Sequence, residues 1–376
     1  MNTTKKKSWV RFLMPGLIFQ QVVIGGGYGT GAEIAQFFGT QGLVGGLMGQ
    51  AVTLVLWAIV CAATFEFVRI FRTFDYGTFM SKLLGKGAIL YEICYWVMMA
   101  LVIGIVNASA GSIVATTTGL SKWVGIGILS VGMIYLTIKG AVLIEKALSM
   151  WSYFMYAVYI IFMVVIFTKF GDVISAEFAK GQVESSWLLS GAQYAFYNLV
   201  CVPVVLYTVR DMETRKEAVV CGLFSGVFGI LPAVLLLLVM GCDFTAAVSA
   251  EIPVSVIFDR LDMTWLYILF EIVLMGTLIA TGTGFIKAVD DRVEIAYRRK
   301  HGTVASWIRP TIAVGLTVMS IIVSSFGLIP LIAKGYGTIC WGFLILFAIP
   351  ILTIGIYKIK QHGPIPDEDT EEYNTH

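Results

Sequence analysis

The chain has 376 residues, of which 58% are hydrophobic and 13% charged, with a formal net charge of +2 and a mean hydropathy of +0.85. Soluble domains carry about 25% charged residues, so so few charges cannot cover a water-soluble fold of this length. The composition therefore excludes a soluble enzyme or binding module; the net charge itself says little about partners, which are expected to be a small-molecule substrate and the lipid bilayer and no nucleic acid.

A membrane-spanning helix needs about 20 mostly apolar residues. Segments that meet this test run over residues 9–38, 42–68, 88–118, 122–139, 143–168, 187–209, 218–241, 264–287, 305–326 and 328–357. They predict an all-α integral membrane protein of about ten transmembrane helices within residues 1–360. Residues 172–187 and 247–262 read as amphipathic surface helices between spans. The last segment, 361–376, is polar and acidic (Asp367, Glu368, Asp369, Glu371, Glu372) and reads as a disordered cytoplasmic tail. Lys5, Lys6 and Lys7 precede the first apolar run as in a signal peptide, but no small-residue cleavage site closes a short core there.

Orientation follows from Lys and Arg, which concentrate on the cytoplasmic side. With the N-terminus inside, ten spans place only Lys122, Lys169, Lys180, Arg260 and Lys334 outside and every other Lys and Arg inside. Both termini are then cytoplasmic, in a multi-pass protein of the cell membrane. The six cysteines are scattered without a CxxC pair, and the three histidines lie in polar loops or the tail. A metal centre, a redox dithiol and a His-based triad are all disfavoured.

Two segments carry helix breakers. Segment 1 contains Gly25-Gly26-Gly27-Tyr28-Gly29-Thr30-Gly31. So many consecutive glycines disfavour a continuous helix, while packing through small residues needs glycines a turn apart. The run predicts half-helices of about 9–24 and 31–38. Gly27, Gly29 and Ala32 mimic a dinucleotide fingerprint, but the strand that motif requires is replaced by an apolar helix. Segment 6 contains Gln193, Tyr194, Tyr197 and Asn198 just before Pro203. Proline fits the first turn of a new half-helix, and a plain proline kink is the alternative.

Breaks in segments 1 and 6 of ten occupy equivalent places in two five-helix halves of opposite orientation. These halves are an inverted repeat of about 9–168 and 187–357. Paired interruptions of this kind point to a transporter binding site, with half-helix ends offering N–H groups to anions and carbonyls to cations. Gly25, Gly26, Gly27, Tyr28, Gly29, Thr30, Tyr194, Tyr197 and Asn198 are the candidate substrate-binding residues. Asn107, in segment 3 near Ser109 and Ser112, either joins them or bonds a neighbouring helix.

Ionisable groups inside spans are functional candidates by default. Glu33 opens the second half of segment 1, where a helix dipole favours a carboxylate. It is a candidate for a substrate amine, a cation or a coupled proton, with a capping role as the alternative. Glu271 lies about 10 Å into segment 8 and is a second candidate for coupling. Glu92, near the cytoplasmic end of segment 3, reads as structural.

The ten-helix, five-plus-five plan resembles the leucine-transporter fold of the amino acid–polyamine–organocation superfamily. The run from Ile24 to Glu33, followed by Gln36-Phe37-Phe38, is similar to that of the YkvI-type family of bacterial membrane proteins. This resemblance implies a sodium site between carbonyls at the first break, near Val23 and Gly26, and helix-8 hydroxyls. Here Thr277, Ala280 and Thr281 share one helical face, and oxygen ligands suit a hard cation. Some proton-coupled relatives place a helix-5 lysine there instead, whereas segment 5 has only Lys146 beside Glu145 at its cytoplasmic edge.

The sequence thus predicts a secondary active transporter of a small polar solute, an amino acid or a relative, coupled to Na+ or H+ and needing no other cofactor. A solute sensor that keeps the transporter fold is the alternative. An intramembrane enzyme is disfavoured because no nucleophile–base pair appears, and a channel because broken inverted repeats suit an occluded site. The topology is checked by Lys180→Cys and Arg298→Cys: a membrane-impermeant thiol reagent added outside modifies the first and leaves the second untouched.

Overall fold

A computed structural model describes residues 9–139, 141–301 and 307–362. Lys5, Lys6, Lys7 and nearly all of the acidic tail lie outside the described residues, as do the side chains of Glu145 and Lys146. All regular structure among the described residues is helical.

The ten predicted segments each contain apolar helix, but with unequal reach. Among the described residues, seven helices are long and apolar enough to cross a bilayer: Leu43–Phe71, Tyr76–Thr118, Ala157–Ala179, Trp187–Asp211, Arg215–Ser249, Thr264–Lys287 and Leu328–His362. These fall at segments 2, 3, 5, 6, 7, 8 and 10. Segments 1, 4 and 9 hold shorter apolar helices, Leu13–Val23, Lys122–Ile138 and Ile308–Ser324. The expectation of ten full-length spans is corrected accordingly. Segment 1 is short because its helix stops at the glycine run. The other two are helices of 18 and 17 residues, Lys122–Lys139 and Ile308–Ser324 (about 25–27 Å at 1.5 Å per residue).

Span 1 breaks where its glycines predict. Its helix Trp9–Val23 ends, a single turn forms over Gly26–Gly29, and the helix restarts as Ala32–Phe37. Span 6 differs from expectation. Its α-helix Trp187–Tyr197 does not open into a coil before Pro203. It tightens at Asn198 into a 14-residue 3-10 helix, Asn198–Asp211. The Asn198 side-chain amide donates to the Tyr194 carbonyl (3.0 Å), satisfying a group that the change of helix type releases. The α ladder is interrupted, yet few backbone groups are left bare. So long a 3-10 stretch is unusual and often marks a functional hinge.

The two predicted surface helices also change. The first is the end of span 5, whose helix Ala141–Ala179 kinks at Phe170 and stops before residue 180. The second is two short helices, Phe244–Ser249 and Pro253–Leu261, joined by an extended residue at Ala250.

Span 2 is the scaffold on which spans 6 and 7 pack. Lipid offers no hydrophobic driving force between helices, so small residues and interhelical hydrogen bonds hold them. A Cβ on Gly191 would lie 2.2 Å from the Gly49 carbonyl oxygen, and one on Gly222 would lie 2.4 Å from the Ala62 backbone. Trp57 Nε1 donates to the Ala195 carbonyl (3.0 Å), the Thr53 hydroxyl to that of Gly191 (2.8 Å) and Gln50 Nε2 to that of Ala233 (2.9 Å). Gly191→Ala and Gly222→Ala are each expected to destabilise the protein by about 1–3 kcal/mol through overpacking. Gly127→Ala, with nothing within 4 Å of its Cβ, is expected to be neutral. Thermal melting in detergent compares the three.

Candidate functional site

The site grows from the break in span 1. Gly31 takes φ +82°, a left-handed conformation that glycine adopts without steric cost, and turns the chain into the Ala32–Phe37 helix. That turn folds the Glu33 side chain back over Gly27, where any Cβ would lie 2.5 Å from Glu33 Oε1. Glu33 is buried, with 3% of its surface exposed. The Tyr197 hydroxyl of span 6 donates to Glu33 Oε2 at 2.5 Å, and the Tyr28 backbone N–H adds a second hydrogen bond. Spans 1 and 6 therefore meet through a buried, hydrogen-bonded carboxylate.

Aromatic rings enclose this pair. Tyr336 of span 10 stacks on Tyr197 with centroids 4.3 Å apart and planes at 16°. Phe37 lies 5.4 Å from Tyr197, and Tyr194 lies 5.4 Å from Tyr197 and 4.7 Å from Phe38. The Tyr194 hydroxyl is buried beside the side chains of Tyr197 and Asn198. The Ser190 hydroxyl donates to the Phe37 carbonyl and ties the two broken spans together again.

Tyr336 escaped sequence reasoning. It ends a π-helical stretch, Leu331–Tyr336, a geometry frequent at functional sites. The signal was present as Gly335-Tyr336-Gly337, a repeat of the Gly27-Tyr28-Gly29 pattern. Tyr159 was also missed: its hydroxyl donates to the Gly29 carbonyl at 3.2 Å.

The break leaves fewer free backbone groups than expected. The N–H groups of Ile24, Gly25, Gly29 and Gly31 donate to the carbonyls of Gln20, Val23, Gly25 and Tyr28, and that of Ala32 donates to the Thr30 hydroxyl. The Gly27 carbonyl accepts from the Thr30 hydroxyl and the Thr30 carbonyl from the Val254 N–H, so the helix Pro253–Leu261 lies against the break. The half-helix ends are occupied largely by the protein itself.

The remaining candidates separate from this cluster. Asn107 is buried among other helices: its Nδ2 donates to Ser320 Oγ (2.5 Å), and the Ser130 hydroxyl donates to its Oδ1 (3.4 Å). It joins spans 3, 4 and 9 instead of facing Glu33. The nearby Ser112 hydroxyl donates to Glu251 (2.7 Å), which also accepts from Lys122. Glu271 accepts from Thr117 and hydrogen-bonds Tyr267, one residue before the end of the helix Ala88–Thr118. It belongs to a polar group at the end of span 3, apart from Glu33. Glu92 accepts from Trp96 Nε1 (3.0 Å) on its own helix.

On span 8 the Thr277 hydroxyl donates to the Val273 carbonyl (2.9 Å), the common local bond of a helical threonine. Leu274 touches the span-1 break, since a Cβ on Gly29 would lie 2.3 Å from Leu274 Cδ1. Thr277 and Thr281 follow Leu274 at i+3 and i+7, on the same side of the helix. Ala280 and Thr281 are half-buried.

No family model and no curated protein matches the chain. Its structure is similar to those of solved transporters. MhsT in complex with L-phenylalanine aligns over 95% of this chain and 98% of its own, with 14% identity and a TM-score of 0.58. A Na+-coupled sialic acid symporter in a substrate-bound outward-open state aligns over 93% and 82%, with 11% identity and a TM-score of 0.60. Mhp1, a nucleobase-cation-symport-1 family transporter closed around bromovinylhydantoin, aligns over 90% and 77%, with 12% identity and a TM-score of 0.53. The chain is an all-α membrane protein with the leucine-transporter fold that these proteins share.

The Tyr197–Glu33 bond is expected to contribute about 1.5–3 kcal/mol, as for a hydrogen bond to a charged group. Tyr197→Phe should lower thermal stability by that order. Combined with Glu33→Gln it should lose less than the sum of the single changes, because the two side chains form one interaction; additive losses would show that they do not.

Proposed function

We propose that the chain is a secondary active transporter that moves a small polar solute, an amino acid or a relative, by alternating access around spans 1 and 6. The observation that carries this reading is the buried Glu33–Tyr197 contact between two interrupted spans, within a fold shared with transporters. A charged group at membrane depth is expensive and is kept where it handles a solute or an ion. The similar structures are of MhsT in complex with L-phenylalanine, a sialic acid symporter and Mhp1 with bromovinylhydantoin bound, and these named compounds are all small and polar. The similarity of the Ile24–Phe38 run supports membership of the YkvI-type family.

The same reading takes residues 9–168 and 187–357 as the two inverted repeats, with both termini cytoplasmic. It assigns Gly25, Gly26, Gly27, Tyr28, Gly29, Thr30, Tyr194, Tyr197 and Asn198 to the solute site, joined by Tyr336. A coupling cation sits between the break, near Val23 and Gly26, and Thr277, Ala280 and Thr281. Contact between Gly29 and Leu274 supports this placement, because it brings that side of span 8 to the break. The Val23 carbonyl already accepts from Gly25 (2.8 Å), but its second lone pair can face an ion.

Reconstituted into proteoliposomes, the protein should accumulate a labelled solute from a panel of amino acids and amines when an inward Na+ or proton gradient is imposed, and not without one. Thr281→Ala should weaken solute binding by about 1–3 kcal/mol, the cost of an unmade buried polar contact, and only when the coupling cation is present. Wild-type binding that ignores Na+ but follows pH would remove the sodium site. Specific binding with no uptake under any gradient would make the protein a sensor.

A further inference from the structure

We propose that the acidic residues 367–372, which follow span 10, dock on a basic patch of the protein itself, formed by Arg72, Arg210 and Lys82 where spans 2, 6 and 10 end, and so restrain span 6. The docking does not depend on the transport reading; its effect on uptake does.

The first ground is the patch. Arg72 closes the helix of span 2, and Arg210 lies in the last turn of the 3-10 helix of span 6. Both guanidinium groups lie over the Phe74 ring, 6.0 and 5.5 Å from its centroid. The Lys82 ammonium lies 5.2 Å from the centroid of the Phe71 ring. All three basic residues are exposed, and none of them lies within ion-pair distance of a carboxylate among the described residues. Several acids nearby are engaged elsewhere: Glu66 pairs with Arg69, Asp75 accepts from the Thr78 N–H, and Glu217 completes the cap of the helix Arg215–Met240. Two like charges held on one ring repel each other, and an anion beside them relieves that repulsion.

The second ground is where the acidic segment starts. The last helix of span 10, Ile356–His362, ends against the patch: the His362 ring lies 4.8 Å from that of Phe71, the residue before Arg72. Lys358 fixes this end, its ammonium donating to the carbonyls of Lys82 (2.6 Å) and Leu83 (3.4 Å). Between His362 and Asp367 there is at most about 18 Å of chain, so the acids cannot begin far from the arginines.

The third ground is charge. Residues 363–376 contain Asp367, Glu368, Asp369, Glu371 and Glu372 and no Lys or Arg. A tethered segment meets its site at an effective concentration that reaches the millimolar range for short links. Anionic lipid headgroups also attract basic residues beside a span, but the tether supplies these acids whatever the lipid. Docked there, the segment joins the end of span 10 to those of spans 2 and 6. Span 6 is one of the two interrupted spans around which access alternates in the transport reading, so the link opposes its movement.

The experiment uses the full chain with Ser81→Cys and Thr370→Cys, spin-labelled in nanodiscs of phosphatidylcholine; the six native cysteines are buried. Pulsed electron resonance should show a narrow population of short distances at about 0.1 M salt that is lost at about 1 M, where the Debye length falls from about 10 Å to about 3 Å. Arg72→Gln with Arg210→Gln should abolish that population. Changing the five tail acids to their amides should do the same, and this variant decides the matter if the arginine pair does not fold. Arg72→Glu with Arg210→Glu, combined with Lys at the five tail positions, should restore it. In proteoliposomes the amide tail should raise the rate of solute uptake at least about fivefold, the lower end of a typical coupling between sites. The docking is overturned if the distances are broad in the wild type, or if they are short but unmoved by salt and by these substitutions. It is also overturned if adding phosphatidylglycerol to the nanodiscs removes the short distances, which would assign the patch to lipid. Short distances with an uptake rate that ignores the tail would overturn the restraint on span 6. Short distances with no uptake under any gradient sink the transport reading and leave the docking standing.

Discussion

Everything in this molecule follows from one constraint: a helix can be interrupted at membrane depth only if protein groups receive the backbone it releases. Span 1 breaks at its glycine run, and nearly every consequence nearby is a repair of that break. Thr30 bridges back to the Gly27 carbonyl, Tyr159 reaches across from span 5 to Gly29, and the Val254 N–H closes on the Thr30 carbonyl. Span 6 meets the same constraint by another route, tightening at Asn198 into a 3-10 helix while the Asn198 side chain donates to the Tyr194 carbonyl of the preceding α-helix. Span 2 holds both in place through Trp57, Thr53 and the close approach of Gly49 to Gly191.

Because much of the break is repaired, side chains join the remaining backbone groups in setting the chemistry of the site. An open half-helix end would offer N–H groups and carbonyls to a ligand. Here many of those groups are taken, and beside them stands one buried carboxylate in an aromatic enclosure. Glu33 stands where the helix restarts and lies over a glycine that leaves it space. The π-helical stretch of span 10 then delivers Tyr336 onto Tyr197. Three spans thus converge on a single buried carboxyl group.

Polar groups elsewhere in the bundle have a different use. Asn107 with Ser130 and Ser320, and Glu271 with Thr117 and Tyr267, join helices to one another. In an apolar medium such bonds hold helices together where the hydrophobic effect cannot. Residue type alone does not distinguish this use from solute binding. Glu271 and Glu33 are both acidic residues within apolar segments, and they differ in what they touch: Thr117 and Tyr267 for the first, Tyr197 and Tyr28 for the second.

The sequence by itself determined the membrane class, the order of the apolar segments and the place of the first break, because these depend on local properties: apolar length, and the tolerance of glycine for left-handed backbone at Gly31. It also located Glu33, Tyr194 and Tyr197, since polar residues beside helix breakers are rare enough in an apolar chain to stand out. The tertiary structure decided what those residues touch. That Glu33 bonds Tyr197 164 positions away, that Tyr336 covers them, and that Asn107 turns to span 9 are facts of helix rotation and packing. The form of span 6 was also beyond the sequence. Pro203 announces a lost hydrogen bond, but not whether the chain uncoils or tightens into the 3-10 helix Asn198–Asp211.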